Sequence, residues 1–87
     1  MNSELSSLRA EIDLLDEQLW EIIGKRKDVA RQIGQWKKLH GQPIVQAARW
    51  QEVKDRCHRI AEAQGVSSDC VEEVMQALHR ESVRVES

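Results

Sequence analysis

The sequence predicts an all-α fold of three helices, the first of them very long. Apolar residues recur in alternating steps of three and four across most of the first part of the chain, which is helical and heptad-like periodicity. Only four glycines and one proline interrupt 87 residues, and residues that favour helices dominate. Two clusters of breaking residues, His40-Gly41-Gln42-Pro43 and Gly65 to Asp69, divide the chain into three segments.

The first helix is expected from about residue 3 to 39. Leu5, Leu8, Ile12, Leu15, Leu19, Ile22, Val29, Ile33 and Trp36 form a seam with one slot missing, and that slot holds Arg26. Gly24 is the one weak helix former inside. The pattern crosses it without slipping, which favours a continuous helix; the alternative is a break there and a monomeric bundle. A rod of about 36 residues is roughly 54 Å long. A compact domain of this size has a radius of gyration of only about 12–13 Å. Two shorter helices cannot cover the whole seam, so the simplest solution is a homodimer through the long helix.

The second helix is expected from about 44 to 64, with Gln46, Arg49, Trp50, Val53, Cys57 and Ile60 on one stripe and Gly65 as its stop. Ser67, Ser68 and Asp69 are good N-cap residues, and Asp69 with Glu72 resembles a capping box. The third helix, about 68 to 86, carries Val71, Val74, Met75, Leu78, Ser82 and Val85 on one face. The length predicts a single domain over 1–87.

Composition excludes several function classes. Thirteen basic against 15 acidic residues give a net charge of −2, where a nucleic-acid-binding surface would be strongly basic. Three tryptophans without Phe or Tyr provide no run of stacking platforms for single strands. Cys57 and Cys70 lack paired spacing, and His40, His58 and His79 are scattered, so no metal site is expected. No apolar run approaches the roughly 20 residues that span a bilayer. Two unpaired cysteines and no signal peptide predict a reducing cytoplasm.

The residues that carry chemistry are cations in apolar stripes. Arg26, Ala30, Ile33 and Lys37 are spaced i, i+4, i+7, i+11. At 100° per residue Arg26 and Lys37 differ by about 20° around the axis. Charges on a mainly buried face are costly unless paired or bound to an anion. Arg49 repeats the pattern on the second helix. The obvious acids (Glu11, Asp13, Asp16, Glu17, Asp28 and Asp55) read mostly as outer-face residues, so three inward cations lack three matching acids. Arg9 lies 17 residues before Arg26, about 100° away and roughly 25 Å along the rod. It cannot join the same pocket within one chain, but in an antiparallel pair it reaches the partner's. Otherwise it is a surface arginine beside Asp13. Ser82 continues the stripe of the third helix, where a hydroxyl can bond back to its own backbone. Glu86 shares its face, although a glutamate so near the terminus is expected to be solvated and frayed. No nucleophile–base arrangement or glycine-rich phosphate loop is present, so any chemistry uses positioning and positive charge.

Taken in order, these residues resemble the all-helical class of chorismate mutases. The carriers are Leu8-Arg9-x-x-Ile12-x-x-x-Asp16, Lys25-Arg26, Ile33-Gly34-x-x-Lys37, Pro43-Ile44, Arg49 and Glu81-Ser82-Val83-Arg84. The chain especially resembles mutase domains fused to 3-deoxyheptulosonate-7-phosphate (DAHP) synthase, which often read Gln-x-x-Arg-Trp, as Gln46 to Trp50 do. The resemblance implies a homodimer of three-helix subunits with two sites, acting on a small-molecule dicarboxylate without a cofactor. It implies that Arg26, Lys37, Arg49 and Ser82 come from one subunit and Arg9 from the other. The arginines would hold the two carboxylates, while Lys37 and the residue at 86 stabilise charge on the ether oxygen. Gln46, Ala30, Ile33, Trp50 and Val53 would line the substrate. Two positions depart from the common pattern. Trp50 stands where many members place an acid that meets the ring hydroxyl, and Gln46 is the candidate replacement. Glu86 stands where many bacterial members carry Gln. Isochorismate–pyruvate lyase, a mutase for 4-amino-4-deoxychorismate, and a non-catalytic helical dimerisation or regulatory module remain open alternatives.

Overall fold

The computed structural model describes residues 2–87, residue 2 through its backbone alone. The chain forms α1 (Asn2–Leu39), α2 (Ala47–Ala63) and α3 (Ser68–Glu86), with no strand among the described residues. α1 runs unbroken through Gly24, so the alternative of a break at that glycine is set aside.

Local chemistry sets the helix ends. After α1, Gly41 takes a left-handed φ of 63° and the Gln42 N–H closes on the Lys37 carbonyl at 2.8 Å. After α2, Gly65 takes φ 73°, and the N–H groups of Gly65 and Val66 bond to Glu62 and Ala61 at 3.0 and 2.9 Å. Both satisfy carbonyls that the helix end leaves open. α2 begins three residues later than the expected start at 44. Gln46 is extended (φ −122°, ψ 98°), and the Ile44 carbonyl is taken by the Lys37 ammonium at 2.6 Å. At α3 the expected Asp69–Glu72 box is not used. Ser67 is the N-cap, its side chain accepting from the Cys70 N–H at 3.2 Å. Asp69 falls in the first turn, where a carboxylate suits the helix dipole, and Glu72 turns to His58 and Gln76.

α3 is the organiser. It packs on α1 and on α2, while α1 and α2 do not pack on each other. α1 and α3 run in the same direction: Arg26 meets Leu78 and Ser82, Gly34 meets Glu86, and Lys38 meets Ser87. Ala30, Val71 and Met75 are the buried apolar residues. Gly34 permits the closest approach, since a Cβ there would stand 2.5 Å from the Glu86 Cα.

The molecule measures 60 × 23 × 15 Å, with a radius of gyration of 16.5 Å against about 12 Å for a compact chain of this length. The excess is the first half of α1. Its seam residues Leu5, Leu8, Ile12, Leu15, Leu19 and Ile22 are 47 to 61% exposed. Among the described residues no helix is long and apolar enough to cross a membrane.

Candidate active site

A cleft of about 690 Å³ opens between the three helices. α1 contributes Arg26, Val29, Ala30, Ile33, Trp36 and Lys37. Ile44 and Gln46 of the connecting segment close one end, and α2 adds Arg49, Trp50 and Val53. α3 forms the floor with His79, Ser82, Val83 and Glu86. Helical spacing explains the convergence. Positions 26, 30, 33 and 37 share one face of α1, and 79, 82, 83 and 86 share one face of α3.

The cations differ in how they are held. Lys37 reaches the Glu86 carboxylate at 2.5 Å and the Ile44 carbonyl at 2.6 Å. The side chains of the pair are only 13% and 9% exposed. Removing both charges from water costs several kcal/mol each, which only close pairing and further hydrogen bonds offset. Arg26 donates to the Ser82 hydroxyl at 2.6 Å and to the Leu78 carbonyl at 3.3 Å. Among the described residues it forms no ion pair with a carboxylate. Arg49 is exposed and pairs with Glu52 one turn along through one nitrogen, which leaves its other N–H donors for a ligand.

Ten of the eleven expected site residues therefore line one cleft: Arg26, Ala30, Ile33, Lys37, Gln46, Arg49, Trp50, Val53, Ser82 and Glu86. Arg9 does not. It is exposed on the projecting half of α1, 17 residues and roughly 25 Å below Arg26. Two expectations need correction. Glu86 is 8% exposed rather than solvated. The close approach at Gly34 seats it, and the end of the chain is tied down by Ser87 N–H to Val83 at 3.1 Å and Lys38 to the Ser87 carbonyl at 2.9 Å. The expected shortage of inward acids stands among the described residues: Glu86 serves Lys37, the Glu52 that pairs with Arg49 is exposed, and Arg26 has no carboxylate partner. Ser82 bonds across to Arg26 instead of back to its own helix.

Sequence reasoning did not single out Trp36, the Ile44 carbonyl or His79. His79 stacks on Trp50 with ring centroids 4.1 Å apart and planes 16° from parallel. Its signal was present in the spacing, four residues after Met75, three before Ser82 and seven before Glu86.

Residues 8–87 match the family model described as chorismate mutase type II. The chain is 36% identical to the 4-amino-4-deoxychorismate mutase of Streptomyces venezuelae, over 97% of this chain and 82% of that protein. It is 37% identical to the T-protein of Haemophilus influenzae and 33% identical to that of Enterobacter agglomerans. Those matches cover 90% and 100% of this chain but only 21% and 23% of the T-proteins. These relatives are not the DAHP synthase fusions to which the Gln46–Trp50 pattern pointed. The three-helix architecture and the cation-lined cleft agree with the match, and the chain belongs to the chorismate mutase type II family, as an isomerase of the chorismate mutase kind.

Proposed function

We propose that the cleft binds chorismate as a dianion and rearranges it to prephenate, and that the working unit is a homodimer. One observation carries this reading: Arg26 and Lys37, on one face of α1, converge on a single partly apolar cleft whose other groups hold them in place. Arg26 and Arg49 are assigned to the two carboxylates, through charge-assisted hydrogen bonds that fix the chair-like conformer. Lys37 is assigned to the ether oxygen, where negative charge grows as the bond breaks, and Glu86 joins it when protonated. Ser82 orients Arg26. Ala30, Ile33 and Val53 supply apolar wall, with Gln46 and Trp50 at the ring. The rearrangement is intramolecular, so positioning and charge suffice.

Arg9 is assigned to the cleft of a second copy. The exposed seam from Leu5 to Ile22 supports this, because an uncovered apolar stripe of that length is what a partner helix covers. The free cysteines Cys57 and Cys70 support a reducing compartment, the cytoplasm. An association with DAHP synthase rests on the Gln46–Trp50 pattern alone.

A second reading takes 4-amino-4-deoxychorismate as substrate. It is favoured by the Streptomyces relative, which matches over most of both chains.

Turnover of each compound, followed by loss of its absorbance, tests the assignment. Subunit mixing tests the dimer. Arg9→Ala and Arg26→Ala should each be nearly inactive alone. Mixed and re-equilibrated one to one, they should regain about a quarter of wild-type activity, because half the dimers are mixed and each carries one intact site. An intact helical dimer that turns over neither compound overturns the enzymatic reading. Absence of recovery on mixing overturns the shared site.

A further inference from the structure

Resting on the assignment of the cleft above, we infer that His79 contacts the ring substituent that separates the two candidate substrates, hydroxyl in one and amino in the other. Once the cations hold the carboxylates and the ether oxygen, this substituent is the polar group still without a partner. The non-cationic polar groups on the cleft wall are few, and most are engaged. The Ile44 carbonyl and the Glu86 carboxylate hold Lys37, and the Ser82 hydroxyl holds Arg26. Gln46 is exposed at the rim and turns its amide to the Pro43 carbonyl at 3.4 Å. His79 is half-buried on the floor, with no hydrogen bond to its ring nitrogens among the described residues.

The Trp50 stack fixes how the imidazole can act. One face of the ring lies flat on the indole, so its nitrogens are presented edge-on. Lys54 stands 5.2 Å from the centre of the Trp50 ring, which adds a cation–π contact to the same assembly. A neutral imidazole offers one donor and one acceptor. It accepts from a hydroxyl, and it accepts from an ammonium through a stronger, charge-assisted bond. Loss of the ring nitrogens therefore penalises the amino compound more.

Two variants separate contact from packing. His79→Phe keeps a flat ring against Trp50 and removes both nitrogens, whereas His79→Gln keeps a donor and an acceptor without the stack. kcat/KM is measured for both compounds. Where only one is turned over, the Ki of the other as a competitive inhibitor replaces it. His79→Phe should weaken the amino compound roughly tenfold more than chorismate, and His79→Gln should hold the ratio within about twofold of wild type. An unchanged ratio in His79→Phe, in a protein of wild-type helicity, overturns the inference and leaves His79 as packing for Trp50. If His79→Phe does not fold, a His79→Gln ratio that moves by tenfold overturns it instead. Persistent turnover in Lys37→Ala would instead overturn the underlying reading of the cleft.

Discussion

The two halves of α1 carry one apolar seam and meet different surroundings. From Arg26 to Lys37 the helix lies against α3, Ala30 and Gly34 are buried, and the Arg26 and Lys37 side chains face a cleft of their own chain. From Leu5 to Ile22 the same periodicity faces solvent. A periodic stripe thus specifies that something will cover it, not what. The covered half can use its interruptions for chemistry, because α3 supplies neighbours for Arg26 and Lys37. In the projecting half the only seam-side cation implicated in function, Arg9, has no such neighbours in its own chain.

The largest expected effect comes from charging the projecting seam. Leu8→Glu with Leu15→Glu alters residues already 53% and 58% exposed, so each subunit should keep its helices. A symmetric pair would lose the cover of four leucines, about 3–6 kcal/mol, since each has only about half of the 1.5–3 kcal/mol of full burial left to gain. Sedimentation should show monomers and the assay should show no turnover. A dimer that survives would break the comparison.

Within the covered half, Glu86→Gln tests the buried pair. A carboxyl donates to the ether oxygen only when protonated, whereas an amide donates at any pH. Glu86→Gln replaces the carboxylate paired with Lys37 by a permanent donor and should raise kcat, by up to about a hundredfold for one added oxyanion donor. An unchanged kcat would remove Glu86 from the reaction.

Gly34→Ala probes the closeness of α1 and α3. A methyl 2.5 Å from the Glu86 Cα forces the last turn of α3 outward, at about 1–3 kcal/mol for overpacking. The melting temperature should drop by several degrees. Gly24→Ala, where a Cβ meets nothing within 4 Å, should be neutral or slightly stabilising.

The smallest effect lies away from the cleft. Hydrogen bonds from His58 and Gln76, with the charge of Lys54 nearby, hold the Glu72 carboxyl below the usual glutamate range against the opposing effect of burial. A lowered carboxylate pKa contributes stability above its unfolded value and loses it as pH falls through the folded one. Glu72→Gln should therefore lower the melting temperature slightly at neutral pH, with the difference closing on acidification.

The helices and the shared face of Arg26 and Lys37 were legible because helical period places residues on a face, whereas the grouping of Arg49 and Ser82 with them was implied by the resemblance. The start of α2 was less so. Its first residues are claimed by a tertiary bond, Lys37 to Ile44, which no local signal announces. Glu86 was placed in the site by the resemblance, but its burial was not legible, for the same kind of reason. Proximity to the terminus predicts fraying, but Gly34, 52 positions earlier, makes the space that seats it. His79 was passed over because its partner Trp50 lies on another helix, and stacking across helices leaves no trace in either segment's periodicity.

That α1 and α2 meet only through α3 has a consequence for the ligand. A bound dianion becomes the missing keystone between them, bridging guanidinium groups on two rods that do not pack on each other. Occupancy is then coupled to folding: at a concentration a hundred times Kd, the occupied form gains about 2.7 kcal/mol over the empty one. Substrate supply would thus govern how long the protein lasts as well as how fast it works.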